Sequence, residues 1–428
     1  MEPVTLAVVS LAVLMLLLSF GVPIVFCFSG ALAFMSIVGG VTMKGMMMWG
    51  LQQILSPTLL CIPLFIYAGS LMSESGIAKY LLEFVDVFVG RIRGGLGFVA
   101  TLTCAILGAI SGSTFTGLAA TGNMLIPEMV SRGYPRAFAT ALITCSSILG
   151  VLIPPSTPMI IFGWVTGTNV LACFLSTVGP GIVTIIIFCG INFVLSRRFD
   201  LKLMPQLSKT EKRRQIAVRG WKALPALMMP VLILGGIYSG KFTPTEAAAV
   251  SCVYTFIIGT FVYKEIRWKE FVDCMKDTVI IAGATSFIVG MSTSFAYVMT
   301  LEQVPETLSA FILGLSSNKI VVLLIMNVFL LIVGMFMDNI SSCTILAPIL
   351  LPVATALGVN PVHFGILMTM NLAVGFITPP YGVNLFVGSS VARIPFERVV
   401  KWIWPLIGTI LVVLLLTTYV PQLSLLLV

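Results

Sequence analysis

The pattern that decides the fold occurs twice, as Gly-Val-Leu-Ile-Pro-Pro-Ser at residues 150–156 and as Gly-Phe-Ile-Thr-Pro-Pro-Tyr at residues 375–381. Each copy lies inside a long apolar segment. Because proline removes a backbone donor and clashes with the preceding turn, two prolines in a row should break a helix at both places. Backbone freed in this way within a membrane must be buried in protein or line a cavity. Two broken segments at matching places in two halves indicate the binding site of a transporter.

Composition predicts a polytopic membrane protein built of α-helices. Of the 428 residues, 58% are hydrophobic and 9% are charged, whereas soluble domains carry about 25% charged residues. The mean hydropathy is +1.09. A membrane β-barrel is excluded, because its strands are alternating segments of about ten residues, whereas the apolar runs here are long and continuous.

The net charge of +8 is interpreted as a topology signal, and not as a surface for nucleic acid or anionic lipid. The nine cysteines are scattered, mostly in apolar runs, and none forms a CxxC pair, so we expect packing residues and no disulfide framework or metal site. The first apolar run, Val4–Phe20, lacks a preceding basic region and a following cleavage site, and we expect a membrane helix there.

Apolar segments divide the chain into two series with the same order. The first contains spans at Val4–Phe20, Ile24–Val38 and Gln52–Met72 (the last interrupted by Pro57 and Pro63), an amphipathic helix at Ser75–Val89, a segment at Gly94–Met129, a broken span at Phe138–Thr166 and a span at Leu171–Leu195. The second contains spans at Leu224–Ser239, Pro244–Tyr263 and Thr278–Met299, an amphipathic piece at Leu301–Leu315, a segment at Ile320–Leu357, a broken span at Phe364–Gly388 and a span at Trp402–Leu427. The polar stretch Arg197–Lys222 joins the two series, and Lys264–Lys276 is a charged connector inside the second.

The segments Gly94–Met129 and Ile320–Leu357 are predicted to be re-entrant helical hairpins. Gly94–Met129 has basic residues at both ends and a centre rich in Gly, Ser and Thr. The positive-inside rule then places both ends in the cytoplasm. Two full spans with a polar turn are the alternative, but 36 residues fall short of two spans of about 20 each.

Charge counting predicts an inverted repeat. With the N-terminus outside, only Lys44, Lys241 and Lys319 of the 24 Lys and Arg residues fall outside. The first half then crosses from outside to inside and the second from inside to outside, so that the hairpins open to opposite sides. We expect scaffold helices and an interfacial arm in residues 1–90, the first part of a transport domain in 91–196, a cytoplasmic linker in 197–223, a second scaffold and arm in 224–318, and the rest of the transport domain in 319–428.

A broken helix facing a hairpin tip offers free carbonyls for Na⁺ and helix N-termini for a substrate carboxylate. A hard cation prefers oxygen ligands. The first half supplies the following candidates: Ser111, Ser113 and Thr114 at the tip, and the carbonyls near Gly150, Ile153 and Pro155 at the break. The second supplies Asp338, Asn339, Ser341 and Ser342, with Gly375, Thr378 and Pro380. Each single Ser or Thr is more often bonded to its own helix backbone, but two matching clusters favour a site.

Asp338 is the strongest single candidate, because a carboxylate deep in a membrane segment is costly and marks a functional site. The alternative is a hairpin-tip cap exposed to water. We expect Glu246 to be an interfacial acid, Glu128 to pair with Arg132, and His363 to have an interfacial role. No nucleophile triad or ATP-binding motif is present, which favours transport driven by an ion gradient over an enzyme.

The quoted motifs resemble those of a known family. Residues 110–129 read ISGSTFTGLAATGNMLIPEM and 150–163 read GVLIPPSTPMIIFG, and the second half carries MDNISSCTILAPILLP followed by GFITPPYGVNLFVG. They resemble the large membrane subunit of tripartite ATP-independent periplasmic (TRAP) transporters, the sialic-acid branch most of all. The resemblance covers essentially the whole chain.

This resemblance implies a Na⁺-coupled importer of organic acids with an elevator mechanism in the bacterial inner membrane, and the sialic-acid branch implies N-acetylneuraminate as the substrate. The charge count places both termini in the periplasm. The resemblance also implies two or more Na⁺ ions, a small four-helix membrane subunit and a periplasmic substrate-binding protein. The implied sodium sites are Ser111, Gly150, Ile153 and Pro155, and Asp338, Gly375, Thr378 and Pro380. The residues expected to contact substrate are Ser113, Thr114, Ser156, Asn339, Ser341 and Asn384.

Two other functions stay open at this point. One is a stand-alone Na⁺- or H⁺-coupled transporter of dicarboxylates with the same inverted-repeat architecture. The other is a membrane scaffold or channel without coupled transport, which fits paired hairpins poorly.

Overall fold

The computed structural model describes residues 3–202, 208–304, 306, 307, 310, 314 and 318–428, and every regular element in these ranges is helical. In the first half the helices are Pro3–Ser19, Ile24–Gly39, Met43–Ile54, a 3₁₀ turn Pro57–Leu60, Cys61–Glu74, Ile77–Val89, Gly95–Ser111, Thr114–Ser131, Arg136–Ser146, Leu149–Leu152, Thr157–Thr166 and Val170–Ser196. In the second half they are Lys209–Tyr238, Pro244–Ile257 with a π turn Ile258–Val262, Trp268–Leu301, Lys319–Phe336, Asn339–Ala356, Pro361–Gly375, Val383–Ala392, Phe396–Tyr419 and Gln422–Leu425.

Within the described residues, nine helices are long and apolar enough to cross a membrane. The two broken segments lie at the centre of the fold. In the most apolar window of Arg136–Thr166, 89% of the residues are buried, against 39% in Val170–Ser196. All residues from Val362 to Gly375 are buried as well. The helix after the first break packs on the helix before the second, where the rings of Phe162 and Phe364 lie 6.3 Å apart.

Side-chain caps fix where several helices begin. Asn169 accepts hydrogen bonds from the amides of Leu171 and Ala172. Thr243 and Glu246 form a reciprocal capping box at the start of Pro244–Ile257. These residues satisfy amides that have no partner inside the helix, which explains why the helices begin at these points.

Both predicted hairpins consist of two helices separated by two residues. The first pair, Gly95–Ser111 and Thr114–Ser131, breaks at Gly112 and Ser113. Gly112 has a φ of 62°, in the left-handed region that suits glycine. The second pair, Lys319–Phe336 and Asn339–Ala356, breaks at Met337 and Asp338. The predicted tips therefore coincide with the observed interruptions.

Several predicted boundaries in the scaffold were wrong. The predicted span Gln52–Met72 is interrupted next to Pro57, as predicted, but its first residues belong to Met43–Ile54, and the part after the interruption is the 3₁₀ turn Pro57–Leu60 followed by Cys61–Glu74. Pro63 does not interrupt its helix, because it lies in the first turn, where proline is tolerated.

Two charged stretches are more helical than predicted. The connector Lys264–Lys276 belongs mostly to the continuous helix Trp268–Leu301, and the linker Arg197–Lys222 contains the start of Lys209–Tyr238, which runs through the expected boundary at residue 223. Residues 305, 308, 309, 311–313 and 315 of the predicted amphipathic piece Leu301–Leu315 lie outside the described residues.

Candidate transport site

The first break leaves backbone oxygens free in a buried place. The helix ends at Leu152 and a new one begins at Thr157, and the bond between Pro154 and Pro155 is cis. The carbonyls of Ile153 and Pro155 accept no backbone hydrogen bond from the described part of the chain. Pro154, Pro155 and Ser156 are all buried. The break therefore presents unpaired acceptors inside protein, as a cation site requires.

The tip of the first hairpin packs on this break, backbone against backbone. A methyl group added at Gly108 would lie 2.2 Å from the Cα of Gly150. A methyl group at Gly150 would lie 2.6 Å from the Ser113 carbonyl oxygen, and one at Gly112 would lie 3.0 Å from the Pro155 carbonyl oxygen. The structure thus brings the tip together with Gly150 and Pro155, as predicted for the first cluster.

Ser111 is hydrogen-bonded to its own helix backbone, which is the usual role of a single serine in a helix. Its hydroxyl donates to the Leu107 carbonyl at 3.1 Å, and its Oγ lies 3.4 Å from the Ser113 amide nitrogen. Ser111 also lines the cavity described below, with 1% of its surface exposed. The local bonds hold the hydroxyl at the tip and do not exclude a ligand role.

The second tip and break make a similar contact. A methyl group at Gly375 would lie 2.6 Å from the Cα of Gly334, in the helix that leads to the second tip. Asp338 caps the next helix: its carboxylate accepts from the amides of Ile340 at 2.9 Å and Ser341 at 3.1 Å. The Ser341 hydroxyl also donates to it. The cap and the site are therefore not alternatives, because the capping carboxylate also lines the cavity.

The second break differs from the first. The Gly375 carbonyl accepts from the Thr378 amide at 2.9 Å, and the Thr378 carbonyl accepts from the Gly382 amide at 3.0 Å. The Thr378 hydroxyl donates to the Val374 carbonyl at 2.7 Å. Pro380 is exposed and does not line the cavity around Asp338. The structure therefore places Gly375 beside the second hairpin but does not gather the whole predicted second cluster in one place.

A cavity of about 320 Å³ lies where the two tips meet. Five of the candidate residues named from the sequence line it: Ser111, Ser113, Thr114, Asp338 and Asn339. The two broken segments also line it, through Thr157 and Phe376 among others. Two helices from outside the hairpins form the remaining wall, Cys61–Glu74 through Ile66 and Ser70 and Trp268–Leu301 through Ile281, Thr285 and Ile288. The predicted substrate residues Ser156, Ser341 and Asn384 do not line it.

The electrostatics of the cavity suit a bound anion together with cations. Among the described residues, its lining contains one carboxylate, Asp338, and neither lysine nor arginine. Three helices begin at its wall, at Thr114, Thr157 and Asn339, and helix N-termini carry partial positive charge. Asn339 is 5% exposed and its Oδ1 has no partner among the described residues. A buried carboxamide oxygen without a hydrogen-bond donor costs free energy unless a ligand contacts it.

Asn384 joins the two halves. Its Nδ2 donates to the Ser147 hydroxyl at 3.0 Å, and its Oδ1 lies 3.5 Å from the hydroxyl of Thr114, a residue that lines the cavity. Asn384 is fully buried. Its position in the structure is that of a support behind the tip of the first hairpin.

The paired glycines Gly108 and Gly334 and the cavity residues Ser70, Thr157 and Thr285 were not predicted from the sequence. The glycines carried a signal, because each precedes the glycine of its break by a nearly equal number of residues, 42 and 41. Ser70 and Thr285 carried none, since single hydroxyl residues in apolar spans are common.

The remaining polar residues have structural contacts. Glu128 pairs with Arg132, as predicted. Glu246 belongs to its capping box and stays near a span end. His363 lies in the first turn of Pro361–Gly375; its side chain is 2% exposed, and its ring nitrogens lie 2.6 Å from the Ser424 hydroxyl and 3.4 Å from the Thr418 carbonyl. Both partners lie more than 50 residues later in the chain, so no local sequence pattern predicts these contacts.

A family model for the DctM component of tripartite ATP-independent periplasmic transporters matches residues 11–423. The chain belongs to this family. It is therefore a multi-pass membrane transport protein and not an enzyme.

Three curated relatives carry different substrate names. The isethionate TRAP transporter permease protein DctMQ of Oleidesulfovibrio alaskensis is 42% identical over 85% of this chain, and the match spans 57% of that longer protein. The C4-dicarboxylate large permease DctM of Pseudomonas aeruginosa is 39% identical over 86% of this chain and 85% of its own length. The sialic acid large permease SiaM of Vibrio cholerae is 36% identical over 86% of both chains.

Solved transporters share the fold at low identity. The Neisseria gonorrhoeae MtrF structure superposes with a TM-score of 0.62 at 12% identity, covering 98% of this chain and 94% of MtrF. The Alcanivorax borkumensis YdaH transporter gives a TM-score of 0.55 at 15% identity, covering 85% of this chain and 84% of YdaH.

Proposed function

We propose that this chain is the large permease of a Na⁺-driven uptake system for a small organic acid. The single observation that carries the proposal is the cavity between the two hairpin tips. Its described lining combines one carboxylate, three helix N-termini and the buried, unpaired carboxamide oxygen of Asn339, and it contains no basic side chain. An acid held there needs its charge balanced by helix termini and by cations that enter with it.

The proposed first sodium site consists of Ser111 with the carbonyls near Gly150, Ile153 and Pro155. It is supported by the free carbonyls of the break and by the close approach of the tip. The proposed second site centres on Asp338, with Gly375, Thr378 and Pro380 as the weaker part, since two of these carbonyls already accept hydrogen bonds. Two Na⁺ ions would then accompany each substrate molecule.

The proposed substrate-contacting residues are those that line the cavity, Ser113, Thr114 and Asn339. N-Acetylneuraminate is the first substrate to test, on the motifs quoted from the sequence. Isethionate and C4-dicarboxylates enter the same test because relatives of similar or higher identity carry those names. All three are anions, which agrees with the helix N-termini at the cavity wall.

The proposed mechanism is an elevator. The two hairpins and the two broken segments would move as one body, against a scaffold that includes Cys61–Glu74 and Trp268–Leu301. A cavity lined from both bodies supports this division, because its walls would separate when the transport part moves. The two halves would be inverted repeats, with both termini in the periplasm and the 197–223 region in the cytoplasm.

The proposed partners are a small four-helix membrane subunit and a periplasmic substrate-binding protein, with the assembly in the bacterial inner membrane. A cavity without lysine or arginine has few groups with which to capture a free acid from dilute solution, and this favours delivery by a binding protein.

Reconstitution tests the proposal. The chain is placed in proteoliposomes alone, then with the small subunit, then with binding protein loaded with labelled N-acetylneuraminate, isethionate or succinate. We expect uptake of one acid only when all three components are present. Uptake of free acid by the chain alone would refute the tripartite assignment and favour the stand-alone dicarboxylate transporter. No uptake of any acid by the full assembly would remove the transport proposal for these substrates.

A further inference from the structure

Two buried side-chain hydrogen bonds join a hairpin to a broken segment, one in each half of the chain. In the first half, the hydroxyl oxygens of Thr101 and Ser146 lie 3.1 Å apart. In the second half, the Asn371 Nδ2 donates to the Asn327 Oδ1 at 2.8 Å. We call these contacts the first and the second polar pair. Each of the four side chains is at most 4% exposed.

The two polar pairs lie at matching distances from the glycine contacts. In both halves, the polar residue of the hairpin lies 7 residues before the contact glycine of the hairpin, and the polar residue of the broken segment lies 4 residues before the glycine of the break. The residues are Thr101, Gly108, Ser146 and Gly150 in the first half, and Asn327, Gly334, Asn371 and Gly375 in the second. The residue types differ between the halves, whereas the positions and the hydrogen bond are the same. This indicates that a polar pair is required at this place.

Each polar pair adds a directional contact to the helices that form the tip and the break. At Gly108 and Gly150 the two backbones approach closely, but contact at one place leaves the crossing angle of the helices free to change. A hydrogen bond about 10 Å away along the hairpin helix provides a second fixed point. Membrane helices are held together by close packing at small residues and by hydrogen bonds between them, since lipid supplies no hydrophobic force. The pair therefore restricts the orientation of the tip on the break.

A neighbouring threonine shows that a buried hydroxyl in this helix does not always form such a bond. Thr103 lies in the same helix as Thr101 and is 1% exposed, but its Oγ1 has no hydrogen-bond partner among the described residues. The second polar pair, by contrast, extends further, because the Asn327 Nδ2 also donates to the Thr418 hydroxyl at 2.9 Å, in the helix Phe396–Tyr419. The hydrogen bonds between helices therefore occur at specific positions.

We infer that the four residues of the two polar pairs are positioning residues, which hold each hairpin tip against its break and thereby set the Na⁺ affinity. The inference rests on the proposed function, which puts the sodium ligands on these tips and breaks. None of these four described residues lines the cavity between the tips, so their effect on Na⁺ acts through the position of the tip. Hydrogen bonds between membrane helices are individually weak, and the loss of one pair should weaken Na⁺ binding about 3- to 20-fold.

The variants separate the hydrogen bond from the buried hydroxyls. Thr101→Val and Ser146→Ala each remove one hydroxyl of the first polar pair, and the double variant removes both, so that neither hydroxyl is left without its partner. Thr101→Ser keeps the hydroxyl. Thr103→Val is the matched control, because it removes a buried hydroxyl that has no hydrogen-bond partner among the described residues. Asn371→Leu removes the second polar pair.

The test combines uptake with two measurements on the purified full chain. Initial uptake by the complete reconstituted system is recorded as a function of Na⁺ concentration. Hydrogen exchange of the amides at the first tip, residues 108–116, and the melting temperature are recorded for the chain itself. We expect both single variants, their double variant and Asn371→Leu to raise the half-saturating Na⁺ concentration about 3- to 20-fold. The double variant should not exceed the larger single effect, because both changes remove the same bond. Thr101→Ser and Thr103→Val should keep the Na⁺ dependence of the wild type.

The double variant distinguishes positioning from stability. Because apolar groups replace both hydroxyls, its melting temperature should lie close to that of the wild type, whereas its half-saturating Na⁺ concentration stays raised and its tip amides exchange faster. A double variant with the Na⁺ dependence and the tip exchange of the wild type would overturn the inference, even where a single variant folds poorly. Wild-type uptake that does not depend on Na⁺ would overturn the proposed function and the sodium part of this inference. Faster tip exchange in the double variant would then still support the positioning role.

Discussion

Gly150→Ala tests whether the contact between the first hairpin tip and the first break carries sodium binding. The added methyl group would lie 2.6 Å from the Ser113 carbonyl oxygen and 3.1 Å from the Cα of Gly108. Both neighbours are backbone atoms, which cannot move aside by a rotamer change. Overpacking of this kind costs about 1–3 kcal/mol. If this free energy destabilises the arrangement of tip and break that binds Na⁺, the Na⁺ affinity decreases by about 5- to 150-fold.

Gly190→Ala is the matched control. Gly190 also lies inside a helix, but a methyl group there has no atom within 4 Å. Both substitutions replace a helical glycine with alanine, which gains at most about 1 kcal/mol of helix propensity, and only Gly150→Ala adds the clash. The assay is the initial uptake rate of the complete reconstituted system as a function of Na⁺ concentration. Gly150→Ala should require more Na⁺ for half-maximal uptake than Gly190→Ala. Equal half-saturating concentrations would refute the reasoning.

Three further predictions concern other parts of the account. Asp338→Asn keeps a capping oxygen but removes the charge, so we expect normal expression and a higher half-saturating Na⁺ concentration; an unchanged value would exclude Asp338 from the site. Asn384→Ala removes the bond to Ser147 and should lower stability by about 1–3 kcal/mol, seen as a lower melting temperature without a change in substrate selectivity. Thr210→Cys, in a cysteine-free background, should not react with an impermeant thiol reagent from outside, whereas Lys241→Cys should; the reverse pattern would contradict the proposed topology.

The breaks and hairpin tips could be predicted because their physics is local. Paired prolines end a helix wherever they occur, and Gly112 adopts a backbone angle that favours glycine. The chain's family could be inferred from the same motifs. The two glycine contacts could also have been found by aligning the halves, since Gly108 and Gly334 precede their breaks by nearly equal distances.

The scaffold boundaries could not be predicted from hydropathy, because a helix does not end where the apolar residues end. Trp268–Leu301 begins with charged turns, in which Lys276 pairs with Asp273 at 3.2 Å. The walls of the cavity could not be predicted either, because Ser70 and Thr285 reach it only through the tertiary packing of two separate helices. The role of Asn384 follows from its contacts with Ser147 and Thr114, which lie more than 200 residues earlier.

The most direct test of the central claim is the ion dependence of uptake by the complete system. Proteoliposomes that contain the chain and the small subunit, with loaded binding protein outside, receive an inward Na⁺ gradient, an inward proton gradient or neither. We expect concentrative uptake of the organic acid with the Na⁺ gradient alone. Equal uptake with the proton gradient, or uptake that proceeds without Na⁺, would contradict it.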